Sequence, residues 1–105
     1  TFHDEFNQPV NNLPNSITHL TFGNEFNQSI NNLPNSITHL TLGCVFNKLI
    51  DNIPDSIICL TLGYSFNQSL NKLPINLKEL TLDKKTKFHT DKNIKIKYID
   101  TIFNK

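Results

Sequence analysis

The chain repeats itself every 20 residues. Phe6, Phe26, Phe46 and Phe66 fall in register, as do Pro14, Pro34, Pro54 and Pro74, and Leu20, Leu40, Leu60 and Leu80. The segment Asn11 to Thr21 recurs letter for letter from Asn31 to Thr41. A fixed period of this length marks stacked supersecondary units that each touch only their neighbours, and not a globule around one closed core. Stability then accumulates coil by coil, and such arrays present long surfaces to partners far more readily than they enclose a catalytic pocket.

Residues 17 to 36 serve as the type unit. Leu20 and Phe22 stand two apart, so both point to one face of a short strand from Thr18 to Phe22. Equivalent segments at Thr38, Ile58 and Lys78 stack beside it as a parallel sheet at about 4.8 Å per strand. Ile17 points inward as well, and Phe26, Ile30 and Leu33 fill the coil interior. Gly23, Gly43 and Gly63 follow the strands, where a sharp turn favours a residue that tolerates positive φ. Pro34 ends any extended run, and Asn35 and Ser36 are placed to cap one 3₁₀ turn. About fifteen residues remain for the return path, several of them Asn, Pro or Gly, so no long helix fits; turns and at most a second short extended stretch at Phe-Asn-Gln are expected. The expected fold is a mostly β repeat solenoid with one short parallel strand per 20-residue coil.

Coils lie near 6–22, 26–42, 46–62 and 66–82, and residues 1–5 match the end of a further coil, since Thr1-Phe2 repeats Thr21-Phe22. With that mid-pattern start and no methionine, the chain reads as the C-terminal piece of a longer protein. After Leu82 the pattern breaks. Residues 83–105 form a lysine-rich segment with an alternating strand near 94–99, whose lysines discourage edge pairing and suit a C-terminal cap.

Asparagine follows every repeat phenylalanine, at Asn7, Asn27, Asn47 and Asn67. A strictly periodic amide beside a core residue is best explained as a structural ladder that satisfies backbone groups in the turns, with each asparagine largely buried. Asn27-Gln-Ser29 and Asn67-Gln-Ser69 match the glycosylation pattern, but both belong to this ladder and read as structural. Ser16, Ser36 and Ser56 share the repeat phase and read as caps.

If Leu20 and Phe22 point inward, alternate residues form columns on the outer sheet face. One column is His19, His39, Cys59 and Glu79; the next is Thr21, Thr41, Thr61 and Thr81. Together with Lys78 these are the candidate binding residues, because the first column varies while the leucine column does not. Neighbouring His and Cys are zinc ligand types, but a straight column does not converge on a tetrahedral centre, so no metal and no cofactor is expected. No phosphate loop, nucleophile elbow or paired carboxylates occur, and an open sheet face supplies no oxyanion hole, so an enzyme is not expected.

Net charge is +1. All ten basic residues are lysine, and arginine is the usual bidentate reader of phosphate and guanine. No nucleic-acid or membrane partner is expected. Cys44 and Cys59 occupy different phases of the repeat, so a disulfide between them is not expected. Two unpaired thiols fit a reducing, cytoplasmic setting.

The phased signature Phe-Asn-x-x-(Ile/Val/Leu)-x-x-(Leu/Ile)-Pro-x-Ser-(Ile/Leu)-x-x-Leu resembles the FNIP repeat of social amoebae and giant amoeba-infecting viruses. It reads FNQPVNNLPNSITHL from Phe6, FNQSINNLPNSITHL from Phe26 and FNKLIDNIPDSIICL from Phe46. The fourth copy, from Phe66, replaces the serine by Asn76, and the literal Phe-Asn-Ile-Pro tetrad does not occur. The resemblance implies a curved solenoid akin to leucine-rich repeats, although Glu25 stands where that motif carries its asparagine. Several family members bear an F-box upstream, which implies a substrate-recruiting arm of a ubiquitin ligase acting in the cytoplasm. The alternative is a structural or self-assembling element of a viral particle, in the host cytoplasm or in the virion. The leading reading is a protein–protein interaction scaffold.

Overall fold

In the computed structural model, residues 4–86, 88 and 93–99 are described. The Thr1-Phe2 strand end, Lys87 and the outer parts of the lysine-rich segment, 89–92 and 100–105, lie outside the described residues. Five strands follow in chain order: β1 (His19–Thr21), β2 (His39–Thr41), β3 (Cys59–Thr61), β4 (Glu79–Asp83) and β5 (Lys95–Ile99). They form one parallel sheet in the order β1-β2-β3-β4-β5. The register is that of the repeat, with Leu20 against Leu40, Leu40 against Leu60 and Leu60 against Leu80. The chain is thus a parallel β-solenoid of about four turns with no helix among the described residues.

Inward-facing leucines and phenylalanines merge into a single apolar column system. Leu40, Leu42, Phe46, Ile50, Ile53 and Ile57 are all buried in one coil, and the equivalents in the neighbouring coils join the same core. The end coils are the exceptions: Phe6, Leu13 and Ile17 in the first and Leu70 in the fourth are only partly buried. Phe6, Phe26, Phe46 and Phe66 stack with centroids 6.0, 6.2 and 6.4 Å apart and planes within 6°. That spacing exceeds the roughly 4.8 Å between strands, so the coils fan apart from the sheet toward the phenylalanine side.

On the return path each Leu/Ile-Pro makes a single hydrogen-bonded turn. The Ile17, Ile37, Ile57 and Leu77 amides donate to the Pro14, Pro34, Pro54 and Pro74 carbonyls. This is one i→i+3 step, and it does not extend into a 3₁₀ helix. Serine does not cap it. The Ser36 hydroxyl donates instead to the Ile17 carbonyl of the preceding coil at 2.6 Å, and Ser56 to Ile37 likewise. Asn76 replaces that bond in the fourth coil, its Nδ2 reaching the Asp55 carbonyl at 3.1 Å.

The glycines carry a second correction. No described glycine has positive φ; the one described non-glycine residue that does is Asn12, at 62°. Gly43 is required by close approach. A Cβ there would lie 2.3 Å from the Gly23 carbonyl oxygen. No strand is assigned at Phe-Asn-Gln either; side chains take over the inter-coil bonding there.

Candidate functional site

Inter-coil bonding runs backbone to backbone through the strands and just beyond them. The Glu25, Val45 and Ser65 amides donate to the Asp4, Asn24 and Cys44 carbonyls. Two residues later, where the coils have fanned apart, the asparagine side chain spans the gap. The Asn27 amide donates to Asn7 Oδ1, Asn47 to Asn27 Oδ1 and Asn67 to Asn47 Oδ1, each at 2.8 Å. The acceptor is a side chain and the donor a backbone N–H, so the rungs do not join amide to amide. Asn27 and Asn47 are half-buried, less enclosed than the sequence pattern implies, while Asn7 and Asn67 are exposed. Gln28 and Gln68 reinforce two rungs, each Nε2 reaching the carbonyl and Oδ1 of Asn7 or Asn47. Lys48 stands at the equivalent position between them.

Asn47 therefore has a side-chain bond that leucine of similar volume cannot make. Asn47→Leu removes the bond to the Asn67 N–H and the Gln68 contact to Oδ1, and because Asn67 is exposed it should lower stability by about 0.5–1.5 kcal/mol. A denaturant melt coinciding with that of the parent would dismiss the ladder as a stabilising device.

The strands place eight of the nine candidate binding residues on one sheet face, whereas Lys78 precedes β4 and lines a separate cleft with Pro74–Leu77, Asn93 and Ile94. Thr21, His39, Thr41, Cys59, Thr61, Glu79 and Thr81 are half-buried, and His19 and Lys78 are exposed. The His19 and His39 rings stack with centroids 4.1 Å apart and planes 10° from parallel. Thr18 Oγ1 lies 2.9 Å from His19 Nδ1, and Thr38 Oγ1 2.8 Å from His39 Nδ1. Ring lone pairs lie in the ring plane, so two stacked imidazoles direct them side by side and not toward a shared ion. Among the described residues no group of three or more His, Cys, Asp or Glu could hold a metal.

At the C-terminal edge the column changes character. Lys97 Nζ lies 2.7 Å from Glu79 Oε1. The hydrogen bond and charge of Lys97 hold the Glu79 carboxyl below its ordinary range, and Glu79 in turn raises Lys97. Burial, helped by the Glu79 carboxylate, pushes the Cys59 thiol up. A thiol shifted in that direction is a poor nucleophile, and Cys59 and Cys44 are both free. The β5 lysines were legible as an exposed edge, but the bridge to Glu79 was not: Glu79 pairs with Lys95 in register, and Lys97 reaches it diagonally.

The FNIP repeat family model matches residues 6–45 and 46–85, two coils to each match. The chain belongs to the FNIP repeat family. Among solved structures it is similar to CroV588, a circular leucine-rich-repeat protein of a giant virus, with a TM-score of 0.84 and 45% sequence identity. That match covers 93% of the FNIP chain but only 17% of CroV588, so the chain spans about a sixth of the length of its relative. No curated protein matches it. FNIP repeats on a leucine-rich-repeat-like solenoid are protein-interaction scaffolds in general, commonly bind proteins, and are typically non-enzymatic. No helix among the described residues is long and apolar enough to cross a membrane.

Proposed function

We propose that this FNIP solenoid is a protein-binding module that offers its sheet face, from His19 across to Thr81, to a partner protein. The observation that carries this reading is the contrast between columns. Leu20, Leu40, Leu60 and Leu80 are identical and buried, whereas the adjacent outward column runs His, His, Cys, Glu. Packing fixes the first and leaves the second open to a ligand. In its finer form the coils are the substrate-recruiting arm of an F-box-type ubiquitin ligase working in the cytoplasm; the family resemblance supports that form. A second reading, a structural element of a viral assembly in the host cytoplasm or the virion, draws on the likeness to the giant-virus protein. Lys95 and Lys97 on the β5 edge weigh against sheet-to-sheet pairing there, because exposed lysines blunt an edge strand.

The test compares proteins captured by the parent chain with those captured by His39→Glu and Thr61→Lys. Both positions lie on the sheet face outside the Glu79–Lys97 bridge, and because His39 stacks on His19 the melting curve of each variant is recorded beside its capture, so that lost binding is separated from lost folding. Capture by the parent that both variants lose supports the sheet face. Capture that survives both and fails with Asn31→Asp or Asn52→Asp moves the contact to the return path. Co-purification of ligase components would favour the recruiting arm, and a defined oligomer or filament of the isolated chain would favour the assembly reading.

A further inference from the structure

Among the described residues the asparagine ladder ends at Asn67. Asn7, Asn27 and Asn47 each accept a backbone N–H from the next coil through Oδ1. Asn67 donates its own N–H to Asn47, but its side-chain amide has no partner among the described residues. The spacing between paired strands changes here: Leu60 pairs with Leu80, one full repeat on, whereas Leu80 pairs with Ile96, four residues short of a repeat. Beside Asn67 lies a 360 Å³ cleft lined by Phe66, Asn67, Leu70, Lys85, Thr86 and Phe88, among others.

We infer that this cleft is a second binding site, distinct from the sheet face, for a partner segment that imitates the Phe-Asn-Gln turn of a further coil. The occupant is a polypeptide presenting a backbone N–H and a carboxamide donor beside a bulky apolar side chain. Its chemistry derives from the interface that the protein already uses between its own coils. The N–H completes the rung at Asn67 Oδ1 just as Asn67 completes the rung at Asn47. The carboxamide meets the Asn67 carbonyl and Oδ1 as Gln68 meets those of Asn47. The apolar side chain packs on Leu70 and Phe88, both only partly buried against the core. The volume suits a few residues of extended chain, held by main-chain bonds that give affinity and an apolar contact that gives selectivity, as in other strand-addition sites. Lys85, whose Nζ lies 4.7 Å from the centre of the Tyr64 ring, places a positive charge at the rim and favours an acidic residue beside the turn.

The probe is a synthetic peptide, acetyl-Phe-Asn-Gln-Ser-Ile-amide, with the sequence of residues 26–30, titrated into isotope-labelled protein and followed by amide chemical shifts. Saturable shifts at Asn67, Gln68, Leu70, Lys85 and Thr86 are expected. Asn67→Ala should weaken binding about tenfold without moving the melting temperature, since that side chain holds no other described residue. A peptide N-methylated at its asparagine should lose a similar factor. Shifts confined to the sheet face, no shifts at millimolar peptide, or equal affinity for Asn67→Ala would each overturn the site. None of these outcomes bears on the His39 and Thr61 comparison, so the two surfaces are judged separately.

Discussion

Replacing Phe46 by alanine should cost roughly 3–5 kcal/mol, most of what a solenoid this short has to spare. Phe46 is fully buried, and its ring lies between Phe26 and Phe66, 6.2 and 6.4 Å away and within 3° of parallel to both. Truncation leaves a void at two coil interfaces at once. Leu42, Ile50 and Ile57 around it are themselves locked by the coils above and below, so the walls cannot collapse to fill the space. Because each coil touches only its neighbours, losing one interface uncouples the halves of the array as well as weakening it. Phe6→Ala is the internal comparison: Phe6 is only partly buried and stacks on Phe26 from the end of the column, so its loss should cost well under half as much. Equal melting of Phe46→Ala and parent, or equal costs at Phe46 and Phe6, would remove the continuous phenylalanine stack as the source of stability.

The strand positions, the register and the inward columns were legible because the repeat supplies four aligned readings of one coil. A residue such as Leu20 or Phe26 that never turns polar has one physical explanation, and stacking at period 20 then dictates which residues pair. The illegible features are those that depend on the distance between coils. Ser36 looks like a cap within its own turn, yet it bonds to Ile17 in the preceding coil. Sequence neighbours suggest local partners; a solenoid brings a partner from 19 to 21 residues away equally close. Asn47 was expected to be largely buried because it is periodic and follows a core residue, whereas it lies half-buried at the rim where the coils have splayed. The sheet-face residues were identifiable by alternation, but the stacking of His19 on His39 and the diagonal Lys97–Glu79 contact needed the three-dimensional spacing. The 16-residue offset from Leu80 to Ile96 was not legible either, since past Leu82 no repeat remains to set the register.

Gly43→Ala should be the other severe substitution, at about 3 kcal/mol or more, at or beyond the upper end of the ~1–3 kcal/mol that overpacking usually costs. Elsewhere a glycine-to-alanine change at negative φ would stabilise by about 0.4–1 kcal/mol, because it restricts the unfolded chain. Here the added methyl would sit 2.3 Å from the Gly23 carbonyl oxygen, 2.6 Å from its carbon and 2.9 Å from Asn24 Cα. All three are backbone atoms of the previous coil, so no side chain can swing aside, and relief requires the coils themselves to separate. Gly63 repeats the arrangement on Gly43, at 2.5 Å. The fourth coil has given up the glycine and departs from the others at that point. Asp83 occupies the phase, and there the strand runs on, with β4 spanning Glu79–Asp83 against three residues in β2 and β3. Its buried carboxylate takes the Lys85 N–H, so the chain leaves the sheet by a different turn. Close approach and positive φ make opposite predictions for asparagine, which tolerates the left-handed region but carries the same Cβ. Gly43→Asn should therefore be at least as damaging as Gly43→Ala. If asparagine restored the melting point that alanine had lowered, backbone conformation and not the contact between coils would be what demands glycine here.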